Sequence, residues 1–321
     1  MYQSIRSALS LCLILQLPTF VLIGCGEGDK MPDDTAIDES STDTAVDEPV
    51  AFVETDVWGN DEDGVQFSGP NGLAVDTDGN VYSTEFVGGY LRKFTSDGGL
   101  ELEVGGAGSE AGMLSSPIGV AVAPDGSMYV SESGTSRVSQ FGPDGVFRNA
   151  WGDSGSEPGQ FRSAMGIAVS SAAEVFVADF GNHRVQVFDG DGVFLREWGQ
   201  AGTGSGEFDN PIGLQIGPDG DVWVVDSGNE RVQVFSQSGD LRRIIEDVGP
   251  GPEILSINDS GEFYIASPWS DSVVRHFDAD GQLLGFVGED LVGPHGTVTG
   301  PSGALYVAET MSDVIRVFAP R

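Results

Sequence analysis

The chain repeats itself at a fixed step, and that periodicity limits its possible folds more than any other feature. The segments Pro70-Asn71-Gly72-Leu73-Ala74-Val75, Pro117-Ile118-Gly119-Val120-Ala121-Val122, Ala164-Met165-Gly166-Ile167-Ala168-Val169 and Pro211-Ile212-Gly213-Leu214-Gln215-Ile216 start 47 residues apart over three intervals. Weaker copies begin at Pro252 and Pro294, after steps of 41 and 42. Periods of about 20 to 50 residues mark arrays in which each copy is one supersecondary unit that buries its apolar face against the next. The repeat also separates two kinds of residue. What recurs in every copy serves the scaffold, and what occurs once is the better candidate for a site.

Each copy parses into four strand signals. An apolar run follows the Pro-x-Gly, and a tight turn such as Asp78-Gly79, Asp125-Gly126 or Asp219-Gly220 ends it. A second strand, rich in β-branched and aromatic residues, reads Val175-Phe176-Val177 or Val222-Trp223-Val224. A polar loop leads to an alternating third strand, clearest in Arg184-Val185-Gln186-Val187-Phe188. A further Asp-Gly or Ser-Gly turn gives the fourth, which often ends in Trp-Gly, as at Trp151-Gly152 and Trp198-Gly199. Four short antiparallel strands per repeat is the pattern of a propeller blade. The sixth copy has only three strands before the chain ends, while residues 51–59, Ala-Phe-Val-Glu-Thr-Asp-Val-Trp-Gly, match the missing Trp-Gly strand. The expected fold is therefore an all-β, six-bladed propeller over residues 51–321, closed by the N-terminal strand 51–59 completing the last blade. Closure removes the free sheet edges that invite aggregation.

The run Asp179-Phe180-Gly181-Asn182-His183-Arg184-Val185-Gln186-Val187-Phe188 resembles the NHL repeat, and Asp226-Ser227-Gly228-Asn229-Glu230-Arg231-Val232-Gln233-Val234-Phe235 is a second close copy. The resemblance implies a six-bladed propeller and leaves the activity open, because this fold hosts several. RNA-binding relatives use a basic face. The region 51–321 instead carries 41 acids and 13 bases, so nucleic acid is excluded as a partner. A related zinc lyase holds its metal with three His near the starts of innermost strands, where only His295 is a His in this chain.

The N-terminus reads as a targeting segment. Arg6 precedes a mostly apolar stretch, Ala8 to Ile23, which is too short and interrupted to span a membrane. It ends in Leu22-Ile23-Gly24-Cys25, which resembles the bacterial lipobox. Residues 1–24 are accordingly expected to be a lipoprotein signal peptide, with Cys25 lipidated and the protein held outside the cytoplasm on a bacterial membrane. Residues 26–50 contain nine acids and one Lys, too little apolar surface to fold, and read as a disordered acidic linker following Cys25. The only other Cys, Cys12, lies in the signal segment, so no internal disulfide is expected in the mature chain. The net charge of -35 favours solubility and self-repulsion.

The repeat then sorts the candidate residues. Glu85, Glu132, Asp179, Asp226 and Glu309 recur at the end of the second strand, with Arg137, Arg184 and Arg231 five residues later, and are read as a ladder of ion pairs or hydrogen bonds joining strand ends between neighbours. The Asp-x-Asp-Gly groups at Asp76, Asp189 and Asp278 are followed by none of the helix signals of an EF-hand, and are read as hairpin turns. No nucleophile elbow, phosphate loop or His-Glu-x-x-His appears. Unique features gather in blades five and six. Blade five loses its Gly (Pro252-Glu253-Ile254) and has a longer loop, Pro268-Trp269-Ser270-Asp271. Trp269, Asp271, Phe86, Phe180 and Met311 are the candidate ligand-binding residues, on the face where strands one and three begin. Asn71, Glu253 and His295 are candidates for a divalent metal in the channel; the other reading is a hydrated polar channel without one. The leading expectation is a binding module for a protein, peptide or glycan, with no cofactor. The alternative is a divalent-metal hydrolase or lyase centred in the channel.

Overall fold

Twenty-four strands build six four-stranded antiparallel sheets in the computed structural model, which describes residues 52–59 and 64–321. The expected signal peptide 1–24, the lipidation site Cys25 and the linker 25–50 lie outside the described residues. Blade one comprises β2 (Pro70–Val75), β3 (Val81–Glu85), β4 (Tyr90–Phe94) and β5 (Leu100–Gly105). Blade two runs from β6 (Pro117–Val122) through β7 (Met128–Glu132) and β8 (Arg137–Phe141) to β9 (Phe147–Trp151). Blade three is β10 (Ala164–Val169), β11 (Val175–Asp179), β12 (Arg184–Phe188) and β13 (Phe194–Trp198). Blade four is β14 (Pro211–Ile216), β15 (Val222–Asp226), β16 (Arg231–Phe235) and β17 (Leu241–Ile245). Blade five is β18 (Ile254–Ile257), β19 (Phe263–Ser267), β20 (Val273–Phe277) and β21 (Leu283–Val287). Blade six has β22 (Pro294–Thr299), β23 (Leu305–Glu309) and β24 (Val314–Pro320), and its fourth strand is β1 (Phe52–Trp58).

The closing strand pairs as the repeat predicts: Phe52 lies opposite Pro320 and Trp58 opposite Ile315. Trp58 is buried and meets the rings of Phe94 and Tyr306 at 5.7 and 5.3 Å, so it links blade six to blade one. The repeated Trp does the same elsewhere, as Trp198 does between Phe176 and Phe235. The Gly that follows is part of the motif. Gly199 has φ +99°, and a Cβ there would lie 2.5 Å from the Phe208 ring.

The innermost strands form a closed ring, with β2 in contact with both β6 and β22. The Gly of Pro-x-Gly permits their approach. A Cβ at Gly72 would sit 2.1 Å from the Ile118 carbonyl oxygen, and one at Gly296 would sit 2.0 Å from that of Asn71. Between the blades lies the core, made of β-branched and aromatic side chains from facing sheets, such as Phe176, Val185, Val187, Val222 and Val224. Burial of this kind is the main favourable contribution to folding.

The recurring carboxylates differ from expectation in one respect. Asp226 is fully buried and accepts hydrogen bonds from Arg231 Nε (2.8 Å), Asn229 Nδ2 (2.9 Å), Gln233 Nε2 (3.0 Å) and the backbone N–H of Asp209 (2.7 Å). Asp179 repeats this set with Arg184, Asn182, Gln186 and Arg162 N. The pair therefore joins the second and third strands of one blade and the loop that leads into it, rather than the strand ends of neighbouring blades. The Asp–Asn–Arg–Gln spacing of the repeat is the set of ligands of one buried anion. In blades one and six the Arg has moved two positions, to Arg92 and Arg316, and still meets Glu85 and Glu309.

Candidate functional site

Blade five breaks the pattern at that buried anion. Ser267 stands where the other blades have Asp or Glu, and Arg275 donates to its Oγ at 2.9 Å. The missing charge returns in the lengthened loop, where Asp271 pairs with Arg275. Asp271 thus replaces the scaffold carboxylate while remaining exposed at the surface. The extra loop residue that accommodates this change also projects Trp269, which is 45% exposed. Two hydroxyls fix the loop, Ser270 Oγ donating to the Pro250 carbonyl (2.7 Å) and Ser272 Oγ to that of Pro268 (3.1 Å).

Beneath Trp269 lies the mouth of the channel. Asn71, Ile118, Met165, Ile212, Glu253 and His295, one from each blade, stand at the starts of the innermost strands. Asn71, Ile118, Ile212 and His295 are only 6–7% exposed. His295 Nδ1 lies 3.2 Å from Glu253 Oε2, and Trp269 stands edge-on to the imidazole, centroids 5.0 Å apart at 76°. Glu253 is held by its backbone, whose N–H donates to the Ala266 carbonyl and whose carbonyl accepts from Gly213 N. Asn71 belongs to blade one, the neighbour of blade six on its other side.

Apolar residues continue outward from this point. Met311, 57% exposed, sits beside Gly293, which leads into Pro294-His295. Its neighbour Thr310 donates to the Pro70 carbonyl at 2.5 Å, tying blade six to blade one. Val87, 54% exposed, packs beside Gly69, and Val292 is 45% exposed. Of the expected candidates, the structure brings together Trp269, Glu253, His295 and Met311, with Asn71 in the adjoining blade. Phe86 is half-buried, and its neighbour Val87 is the exposed residue of the pair. Phe180 lies in the short 3-10 turn of blade three, across the ring from blade six, and is not part of the cluster. Val292 gave no signal in the sequence, because a single Val in a loop fits any reading.

Electrostatics around the cluster are acidic. Glu85, under the Phe86–Val87 loop, is pushed up to about 7: burial raises it, and the opposing Arg92 charge and the Ser68 N–H do not fully compensate. His276 is held below its usual value by burial, against the pull of Glu262, and stacks on Tyr264 away from the channel. Among the described residues no group of three or more His, Cys, Asp or Glu is arranged to hold a metal ion.

At the opposite end of the channel lie the hairpin turns, as expected. Asp76 accepts from Asp78 N, Asn80 N, Asn80 Nδ2 and Tyr82 OH at 2.8–3.0 Å. Burial alone would raise its carboxyl, but these bonds outweigh it and hold it below the usual range. The channel at this end is lined by polar as well as apolar side chains, Gln215, Asn258, Thr297 and Thr299 among them. It is a cavity of about 770 Å³ whose wall includes Leu73, Val75, Val169 and Ile216.

The family model described as NHL repeat matches residues 161–188 and 208–235. No curated protein matches the chain. Among solved structures, a streptogramin B lyase superposes with a TM-score of 0.62 at 14% identity, covering 84% of this chain and 98% of that one. A gluconolactonase from Xanthomonas campestris gives 0.61 at 16% identity, covering 80% and 87%. A chain of the nidogen/laminin complex gives 0.61 at 19%, covering 71% and 84%. Likeness at such identities speaks to fold alone. The chain is an all-β, six-bladed propeller that carries NHL repeats at residues 161–188 and 208–235.

Proposed function

We propose that this protein is a binding module of the bacterial cell envelope, which engages an extracytoplasmic protein, peptide or glycan at the channel mouth between blades five, six and one. The observation that carries the reading is Trp269, half-exposed above the Glu253–His295 pair in the one blade that departs from the scaffold rule. Trp over a desolvated polar pair, with exposed Met311 and Val87 in the loops of the next two blades, has the composition of an interface anchor with an apolar surround. The likeness to a chain of the nidogen/laminin complex is consistent with a propeller used for binding.

A second reading, hydrolase or lyase chemistry in the channel, draws on the His295–Glu253 contact, since a carboxylate against one ring nitrogen orients an imidazole as a base. The lyase and gluconolactonase likenesses are consistent with it. Binding is preferred because the pair is nearly buried under Trp269, while the surface around it is apolar and open.

The test is binding of the propeller unit, Glu48–Arg321, to arrays of peptides and glycans. Trp269→Ala is expected to weaken whatever binds the wild type by about 2 kcal/mol or more, roughly thirtyfold. Binding that Trp269→Ala leaves unchanged would place the partner elsewhere. Retention at the membrane belongs to the same proposal and rests on Leu22-Ile23-Gly24-Cys25. Cys25→Ser is expected to move the protein from the membrane fraction to the soluble one, and a variant that still sediments with membranes excludes the lipid anchor.

A further inference from the structure

The end of the channel away from Trp269 has properties that no step above uses. Its cavity of about 770 Å³ lies within the range of small-molecule sites. Val75, Val169, Ile216 and Ile257 line the wall, with Asp76 and Asp259 at the opening. Polar groups along the wall are largely occupied with one another. Gln215 Oε1 accepts from Ile257 N at 3.0 Å, and Thr299 Oγ1 donates to the Ile257 carbonyl at 3.2 Å, so the channel edge of blade five is satisfied by its neighbours. Thr297 is the exception: it lines the cavity, is 2% exposed, and its Oγ1 has no hydrogen-bond partner. At the other end lies the mostly buried layer of Asn71, Ile118, Ile212 and His295.

Charge around the opening has one sign. The six inner turns, residues 76–80, 123–127, 170–174, 217–221, 258–262 and 300–304, hold eight acids and no Lys or Arg. Arginines of the outer strands offset two of them, Arg196 at Glu174 and Arg242 at Asp221, while Glu262 meets the imidazole of His276 in β20. Asp76, Asp78, Asp125, Asp219 and Asp259 pair with no cation among the described residues. A cleft with low-dielectric walls and a rim of one sign concentrates ions of the other. A bare metal ion gains little from the apolar wall, and an anionic amphiphile is repelled at the rim. A ligand with an apolar body and a cationic head satisfies both parts.

We infer that the hairpin-turn end of the channel binds a cationic amphiphile, with its organic ammonium or guanidinium head among the rim aspartates and its apolar body inside the cavity. This site is independent of the one at Trp269.

The probe is decyltrimethylammonium, titrated calorimetrically below its micelle concentration into the full chain produced without lipid. Three comparators isolate the two parts of the site: tetramethylammonium has the head alone, decanoate the opposite charge, and decyl maltoside no charge. One-to-one binding of decyltrimethylammonium, at least about tenfold tighter than each comparator, is the expected result. Asp259→Asn, a change at an exposed turn residue, is expected to weaken it about two- to fivefold, and the effect should shrink in high salt. Val169→Trp, at a residue that lines the cavity and also packs against the core between blades two and three, should abolish it while a melting curve confirms folding. The proposal is overturned if tetramethylammonium binds as well as the decyl compound, if decanoate or decyl maltoside comes within about threefold of it, or if binding is absent or not one-to-one.

Discussion

A propeller that begins at residue 64, and so lacks β1, is expected to melt at least about 10 °C below one that begins at Glu48, and to self-associate. β1 is the fourth strand of blade six, paired along its length with β24. Its loss removes Trp58 from between Phe94 and Tyr306, and Phe52 from against Tyr264 and His276. Loss of a buried Trp side chain alone costs about 3–5 kcal/mol. For a domain of this size each kcal/mol shifts the midpoint by about 2–4 °C, so the Trp alone accounts for the stated drop. Self-association follows from the exposed edge of β24, whose Ile315, Val317 and Phe318 are otherwise buried. Calorimetry and light scattering on the two fragments give both numbers. An unchanged midpoint in a monodisperse shorter fragment would mean that β1 does not close the ring.

The second large effect is expected at Asp226. Its carboxylate is fully buried and holds Arg231, Asn229, Gln233 and the Asp209 N–H at once. Asp226→Ala leaves the Arg231 guanidinium, 6% exposed, without its counter-ion. Breaking a buried pair by removing one partner costs about 3–5 kcal/mol. The midpoint should therefore fall by roughly 10–15 °C. Asp219→Ala, in an exposed turn, should stay within about 0.5 kcal/mol of the parent. Urea unfolding of the two variants measures the difference, and equal stabilities would mean that the recurring carboxylates are not scaffold.

The fold was legible in the sequence because each repeated residue answers a local demand. Gly72 must leave room for the Ile118 carbonyl, Gly199 must take a positive φ beside Phe208, and Trp198 must fill the gap between sheets. A residue with one such task recurs in most blades and can be read by period alone. The closing strand was legible for the same reason, since Trp58 has the task of Trp198. The site was legible only in part. Trp269, Glu253, His295 and Met311 stood out as departures from the repeat, and three-dimensional neighbourhood then joined them. Asp271 also stood out, but its place in the loop follows from Ser267, eight residues from Arg275 and invisible as a substitute until the ion pair is seen. The partners of the recurring carboxylates were misjudged because a spacing of five residues gives the pair but not its direction. That depends on strand register, which sets Asp226 opposite Arg231 in the same blade. The cavity was hidden as well, because alternation along a strand does not say which residues meet around an axis shared by six of them.

The division between repeated scaffold and unique site is tested most directly by measuring, for Trp269→Ala and Asp226→Ala together, both the melting midpoint and the affinity for a partner selected on the array. Trp269→Ala should keep the midpoint within about 2 °C of the parent and lose roughly thirtyfold in affinity. Asp226→Ala should lose the midpoint and, at a temperature where it remains folded, keep the affinity within about threefold. Binding lost in Asp226→Ala and retained in Trp269→Ala would contradict the assignment of the site to the channel mouth of blades five, six and one.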